Sequence, residues 1–283
     1  MKIRTMNNLI LLIWTAAIVF LLLLVITKPW SPELRTISCL VVLGGVLLTW
    51  FLAAFTFQKA VRKISALLFD QCDTDRFLST IQDNAPRVAP GKSPGYLWVM
   101  LTYEGLYASG RYGEALAELY RLTRFKNTRT GASHQAAWMI NVAEVCIALG
   151  QTDDAQRALT DCRNILENRE MPQKAQQILN EAYRYEMCNL NIALGDTEGA
   201  EEVLIAHFNQ AKNEYTRVGV KFHFALLYRL TGDDEKAREA LEYVVSHGNR
   251  LHFAALAREQ LGMEPLPSVA HLWTREASET SMG

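Results

Sequence analysis

Four times the chain sets a glycine, an alanine five residues on and a leucine four beyond that. The sites are Gly110–Ala115–Leu119, Gly150–Ala155–Leu159, Gly195–Ala200–Leu204 and Gly232–Ala237–Leu241. No other feature restricts the fold as much. A helix that must stop and reverse needs a residue that takes positive φ, and glycine does so without a Cβ penalty. The alanine then marks where the next helix crosses closest, and the leucine, one turn on, fills the same face. The spacing therefore predicts an all-α fold of four helical hairpins over 94–262. The break before it, "NAPRVAPGKSPG", carries three prolines and two glycines and places a boundary near 84–94. Ser93-Pro94 reads there as an N-cap with proline at the first helical position.

The amino-terminal quarter follows other rules. Residues 9–26 and 37–57 carry no charge. As helices they would be about 27 and 31 Å long, close to the hydrocarbon thickness of a bilayer. Two transmembrane helices are expected, over 9–27 and 37–57, with Pro29, Trp30 and Pro32 in the turn between them. The first run exceeds a signal-peptide core, and Thr27-Lys28-Pro29 offers no small-x-small cleavage site. Lys2, Arg4, Lys59, Arg62 and Lys63 flank the hairpin, against Lys28 and Arg35 in its connector. That asymmetry puts both termini in the cytoplasm. The apolar stripe Val61, Ile64, Leu67 and Leu68 extends the second span beyond the bilayer, and Asp73 or Asp75 can cap a short helix after it.

The expected organisation is a membrane hairpin (1–63), juxtamembrane helices and linker (64–93), the four hairpins (94–262) and a tail (263–283). In the tail, Val269 to Trp273 is expected to fold back over Leu241, Val245, Phe253 and Leu256, because the last hairpin of an array needs a cap.

The repeated residues resemble the tetratricopeptide repeat, a helix–turn–helix unit. That family's pattern has a small residue seven positions before the glycine; here Ala143, Cys188 and Ala225 match, and Tyr103 departs. Tyr112 and Tyr228 also match. The spacings are 40, 45 and 37 residues, against 34 in the family, and the closing proline is missing. The resemblance implies an α-solenoid with a concave face lined by first helices. Placed on that pattern, Met100, Ile140, Tyr185 and Phe222 point into the groove, ten residues before each glycine. Glu104, Glu144 and Asn189 stand close by, with Asn141 and Glu186. Some relatives clamp a partner's terminal carboxylate with basic residues here. The apolar and acidic choice in this chain suits an apolar or basic helical segment instead. The alternative is that the apolar four are core.

No catalytic constellation emerges, and the chain reads as a non-enzyme. "PGKSPG" has Pro86 where a phosphate loop needs glycine. The six histidines form no metal-ligand spacing, and the acids of "QTDDA" and "GDDEKA" suit helix starts. A net charge of −1 without a basic run excludes nucleic acid. Five unpaired cysteines and no Asn-x-Ser/Thr site fit a reducing compartment and a bacterial inner membrane. The expectation is a membrane-anchored cytoplasmic scaffold or adaptor for a protein partner, with no cofactor and no metal. Its alternatives are an accessory subunit of a membrane complex and an enzyme with an unrecognised site. An open apolar groove would favour the adaptor; clustered polar groups with shifted pKa values in a closed pocket would favour the enzyme.

Overall fold

The computed structural model describes residues 15–17, 19, 32–85, 95–122 and 124–264. Among these there is no strand. The helices are α1 (Pro32–Phe69), α2 (Thr74–Asn84), α3 (Tyr96–Ala108), α4 (Tyr112–Leu119), α5 (Arg129–Ala148), α6 (Thr152–Asn168), α7 (Gln173–Ala193), α8 (Ala200–Gln210), α9 (Glu214–Leu230), α10 (Asp234–His247) and α11 (His252–Gln260).

The glycine turns do what their spacing requires. Gly110, Gly150, Gly195 and Gly232 take φ of 78°, 71°, 84° and 78°. In each, the residue after the glycine donates its amide to the carbonyl five back, as in Arg111 to Leu106 and Gln151 to Cys146. These are Schellman closures, which satisfy carbonyls the helix end would otherwise orphan. Gly262 (69°) ends α11 the same way. The four alanines after the turns are buried, Ala115 and Ala155 completely, and the four leucines are at most 1% exposed. Helix α2 is capped by Asp73, whose carboxylate accepts from the Arg76 amide, and α10 by Asp233. Helix α3 takes Gly95 as its N-cap, a residue or two beyond the expected start.

Consecutive helices pack in order from α1 to α11, and α5 also packs on α7, α7 on α9, and α9 on α11. Helix α9 reaches α1 as well, with Phe69 edge-on to Tyr215 at 5.5 Å. The helix order therefore returns to its start. The Arg250 amide donates to the Cys72 carbonyl at 3.0 Å, and the buried Thr74 hydroxyl donates to the Arg250 carbonyl at 3.0 Å. Asn249 reaches the Gln71 carbonyl at 2.8 Å. Cys72 (φ 52°) and Asn249 (φ 42°) are the positive-φ non-glycine residues among those described, and both stand at this closure. Such a conformation persists only where surrounding contacts over-determine it.

Helix α1 is 38 residues long, and its stretch Leu43–Phe69 is long and apolar enough to cross a membrane. Trp50 and Phe51 are 73% and 63% exposed. Without a break, the same helix then buries Ile64 and Leu68 in the domain core. The second expected span, 37–57, lies within this helix. Of the first, 9–27, only residues 15–17 and 19 are described, and they are helical. The linker 86–94 and the expected docking of Val269 to Trp273 lie outside the described residues. Helix α11 covers the end of the array, burying Phe253, Ala254 and Ala257.

Candidate functional site

The first helix of each pair carries an inward face, and in this chain those faces close on one another. Six residues before the first three turn glycines stand Glu104, Glu144 and Asn189. Glu186 lies one turn before Asn189, and its Oε2 accepts from Asn189 Nδ2 at 3.2 Å. The Tyr103 hydroxyl donates to Glu144, the Tyr107 hydroxyl also bonds Glu144, and the Tyr215 hydroxyl bonds Glu104. Three carboxyl groups and three phenols from α3, α5, α7 and α9 thus share one interior.

Burial governs their chemistry. Desolvation, reinforced by the Glu144 charge, pushes Glu104 up to about 8. Glu144 rises to about 7 through burial, although its two tyrosine bonds favour the charged form. Glu186 is held well above the carboxylate range by burial and then by Glu144. Glu186 is 5% exposed, while Glu104 and Glu144 keep some accessible surface. Desolvation penalises the charged form of all three carboxyl groups and so raises each.

Beside this cluster is a cavity of about 440 Å³, within the size range of small-ligand sites. Its walls come from α3, α4, α5, α7, α9 and α11, and the aromatic ones are Tyr107, Tyr112, Phe222 and Phe253. Phe222 stacks on Phe253 at 4.9 Å, and Tyr107 meets Phe253 edge-on at 6.1 Å. Helix α11 therefore shuts the inner face against α3. The polar wall groups are Asn189, His223 and, at the mouth, the exposed Arg229. The Tyr185 hydroxyl is 2.7 Å from His223 Nδ1. Burial, then the neighbouring His207, lowers His223 to about 4, so its ring is neutral at physiological pH. Asn189 is 4% exposed, and its Oδ1 has no hydrogen-bond partner.

The residues expected to face a groove are thus distributed as follows. Ile140 packs into a satellite core between α5, α6 and the start of α7, with Cys162, Ile165 and Leu179. Phe222 belongs to the main core and walls the cavity. Met100 is half-buried beside Asn141, whose amide is 4.0 Å from its sulfur. Tyr185 bridges His223 on one side and stacks on His207 at 3.9 Å on the other. Glu104, Glu144 and Asn189 meet in the polar interior. The repeat pattern does not single out Tyr103, Tyr107, Tyr215 or His223 as site residues. Tyr103 alone carries a signal in the sequence: a phenol at a small-residue position, one residue before an inward glutamate.

Among the described residues, no group of three His, Cys, Asp or Glu side chains is placed to hold a metal ion. Cys72, Cys146, Cys162 and Cys188 are free and buried, and burial raises the thiol pKa of each, Cys72 and Cys162 to about 12. They are inert thiols. On the outer surface a second cleft, of about 300 Å³, runs between α7 and α8, lined by Glu181, Arg184, Tyr185, Val203 and His207. The exposed Ile178 and Ile205 stand on the same two helices. No protein-family model matches the chain, and neither a curated protein nor a solved structure matches it.

Proposed function

We propose that this chain is a membrane-anchored, tetratricopeptide-like scaffold or adaptor, its helix pairs forming a short solenoid on the cytoplasmic side of a bacterial inner membrane. One observation carries the proposal: α1 passes without interruption from lipid-exposable Trp50 and Phe51 to core residues Ile64 and Leu68. A membrane helix that is also a core element holds the domain at a set height and orientation against the bilayer. The repeated turns support the solenoid, and the expected first span completes the membrane hairpin. Because the inner face is filled by the chain's own side chains, an entire helix of ~10 Å diameter has no room there. A protein partner is better served by the α7–α8 cleft, where Val203 and Ala206 offer apolar contact and Glu181 and Glu202 suit a basic segment, with Ile178 and Ile205 exposed on the same two helices.

Two placements test this. In intact cells, a membrane-impermeant thiol reagent should label a probe cysteine at Ser31 and never one at Ser278. A photo-crosslinker at Ile178 or Ile205 should trap a discrete protein adduct that is absent with the crosslinker at Ala117. Labelling at Ser278 contradicts the orientation, and equal adducts at all three sites contradict the cleft.

A second reading is favoured by the half-open cavity and the buried carboxyl cluster near it: an accessory subunit, or an enzyme, that handles a small molecule. Titratable groups with displaced pKa values in a closed pocket mark such sites.

A further inference from the structure

One charged side chain lines the half-open cavity, that of Arg229. None of Glu104, Glu144 and Glu186 lines it. Its histidine, His223, is neutral, with Nδ1 engaged by the Tyr185 hydroxyl. The Asn189 amide is turned into the protein, where Nδ2 donates to Glu186 and Oδ1 is covered. Aromatic and aliphatic side chains make up the rest of the wall. Arg229 is exposed and forms no ion pair among the described residues, although it also borders a smaller cleft that holds Asp234 and Arg238. A guanidinium stays charged at any physiological pH.

Helix α9 sets the length of the site. Phe222 and Arg229 lie two turns apart on one face of α9 and both line the cavity, which separates them by ~10 Å along the axis. At one end Phe222 stacks on Phe253 at 4.9 Å. At the other, Arg229 stands beside Leu230, which is 53% exposed and also in the wall. The cavity therefore has an aromatic end and a cationic end. An apolar body gains by entering the first, and only a negative group completes the second.

We propose that the cavity receives a free amphipathic acid, an arylalkyl or medium-chain carboxylate about 10 Å long, with its carboxylate on Arg229 and its apolar body against Phe222 and Phe253. A bidentate guanidinium–carboxylate pair fixes the orientation. Leu226, between the two ends on the same face of α9, packs along the body. A cationic head is repelled at the mouth, and a neutral one leaves the guanidinium without a partner. The proposal rests on the small-molecule reading of the cavity and is independent of the membrane and adaptor reading.

The test is calorimetric titration of the full chain in phosphatidylcholine nanodiscs near pH 7, with empty nanodiscs as the blank. The probes are 4-phenylbutyrate, its neutral analogue 4-phenylbutanol, the cation 4-phenylbutylammonium and the short acid phenylacetate. Phenylbutyrate should saturate and bind about three- to tenfold more tightly than the alcohol. The ammonium should bind more weakly than the alcohol, and phenylacetate more weakly than phenylbutyrate, because it cannot span both ends. Arg229→Gln should abolish the preference for acid over alcohol, and Arg229→Lys should keep part of it. Arg238→Gln, which removes a charge from the neighbouring cleft, should leave it intact. Arg229 is exposed, so substitutions there leave the fold in place. Equal binding of acid and alcohol, or an unchanged preference in Arg229→Gln, would overturn the proposal and leave the small-molecule reading standing. No saturation by any probe at millimolar concentration would overturn both. Tighter binding of dihexanoylphosphatidylglycerol than of phenylbutyrate would overturn the free acid in favour of a lipid.

Discussion

The Arg250 amide donates a 3.0 Å hydrogen bond to the Cys72 carbonyl, tying the loop before the last helix to the foot of the first. Its neighbour Thr74, 2% exposed, donates its hydroxyl to the Arg250 carbonyl. Thr74→Val keeps the shape and removes the hydroxyl donor to the Arg250 carbonyl. The variant should lose ~1–3 kcal/mol in urea melts. Unchanged stability would show that the two ends do not meet in solution.

Gly110 and Gly150 occupy equivalent turns but differ in their neighbours. A Cβ on Gly110 would stand 2.5 Å from the His252 ring of the last helix, whereas one on Gly150 meets nothing within 4 Å. Both have positive φ, so alanine at either costs ~1–2 kcal/mol in backbone strain. Gly110→Ala should cost clearly more than Gly150→Ala in thermal melts, because α11 must also move. Equal costs would place α11 away from the first turn.

Ala155 and Ala200 are buried at the close helix crossings, 0% and 3% exposed, while Ala117 is on the surface. Leucine at either crossing should destabilise the domain by ~1–3 kcal/mol through overpacking. Ala117→Leu should be nearly neutral. If urea melts find all three alike, the hairpin register is mistaken.

The interior sets opposing pH dependences. Glu104 sits near 8 and Glu144 near 7 when folded, against an ordinary 4.5. Between those values the unfolded chain binds fewer protons than the folded one, so stability falls as pH rises from about 4.5 to about 8. His223, lowered from 6.5 to about 4, acts in the other direction. Between those values the unfolded chain binds more protons, so stability is lost as pH falls from about 6.5 to about 4. Denaturation midpoints measured across pH should decline less steeply between about 6.5 and 8 in Glu104→Gln, with Glu144 and Glu186 keeping part of the decline. The gain in stability on acidification from about 6.5 to about 4.5 should steepen in His223→Gln, because the opposing contribution of His223 is gone. If either profile is unchanged, that group is not titrating in the interior.

Local chemistry carried much of this architecture into the sequence. The glycine–alanine–leucine spacing located the turns, the close crossings and the core leucines, because each follows from helix geometry within a few residues. The unbroken α1 was legible too, in charge-free residues followed by Val61, Ile64 and Leu68. The closure was not. It depends on the rotation accumulated from pair to pair, which brings Arg250 to Cys72, and no local pattern encodes that sum. The inner-face set was therefore legible by position and not by environment. Glu104, Glu144 and Asn189 face inward as their register requires, but only the arrival of Phe253 at Tyr107 makes their surroundings a cavity. The unpaired Asn189 Oδ1 depends on the exact orientation set by Glu186, which spacing cannot reveal.

Whether the interior is a closed cavity or an open groove is decided most directly by native-state hydrogen exchange at the Arg250 amide. That proton is bonded to Cys72, across the junction of the two ends. A closed domain protects it to the same degree as core amides of α5 and α6, so that it exchanges only on global unfolding. Exchange at the rate of a frayed terminus, with α5 and α6 still protected, would mean that α11 swings free and the inner face is open.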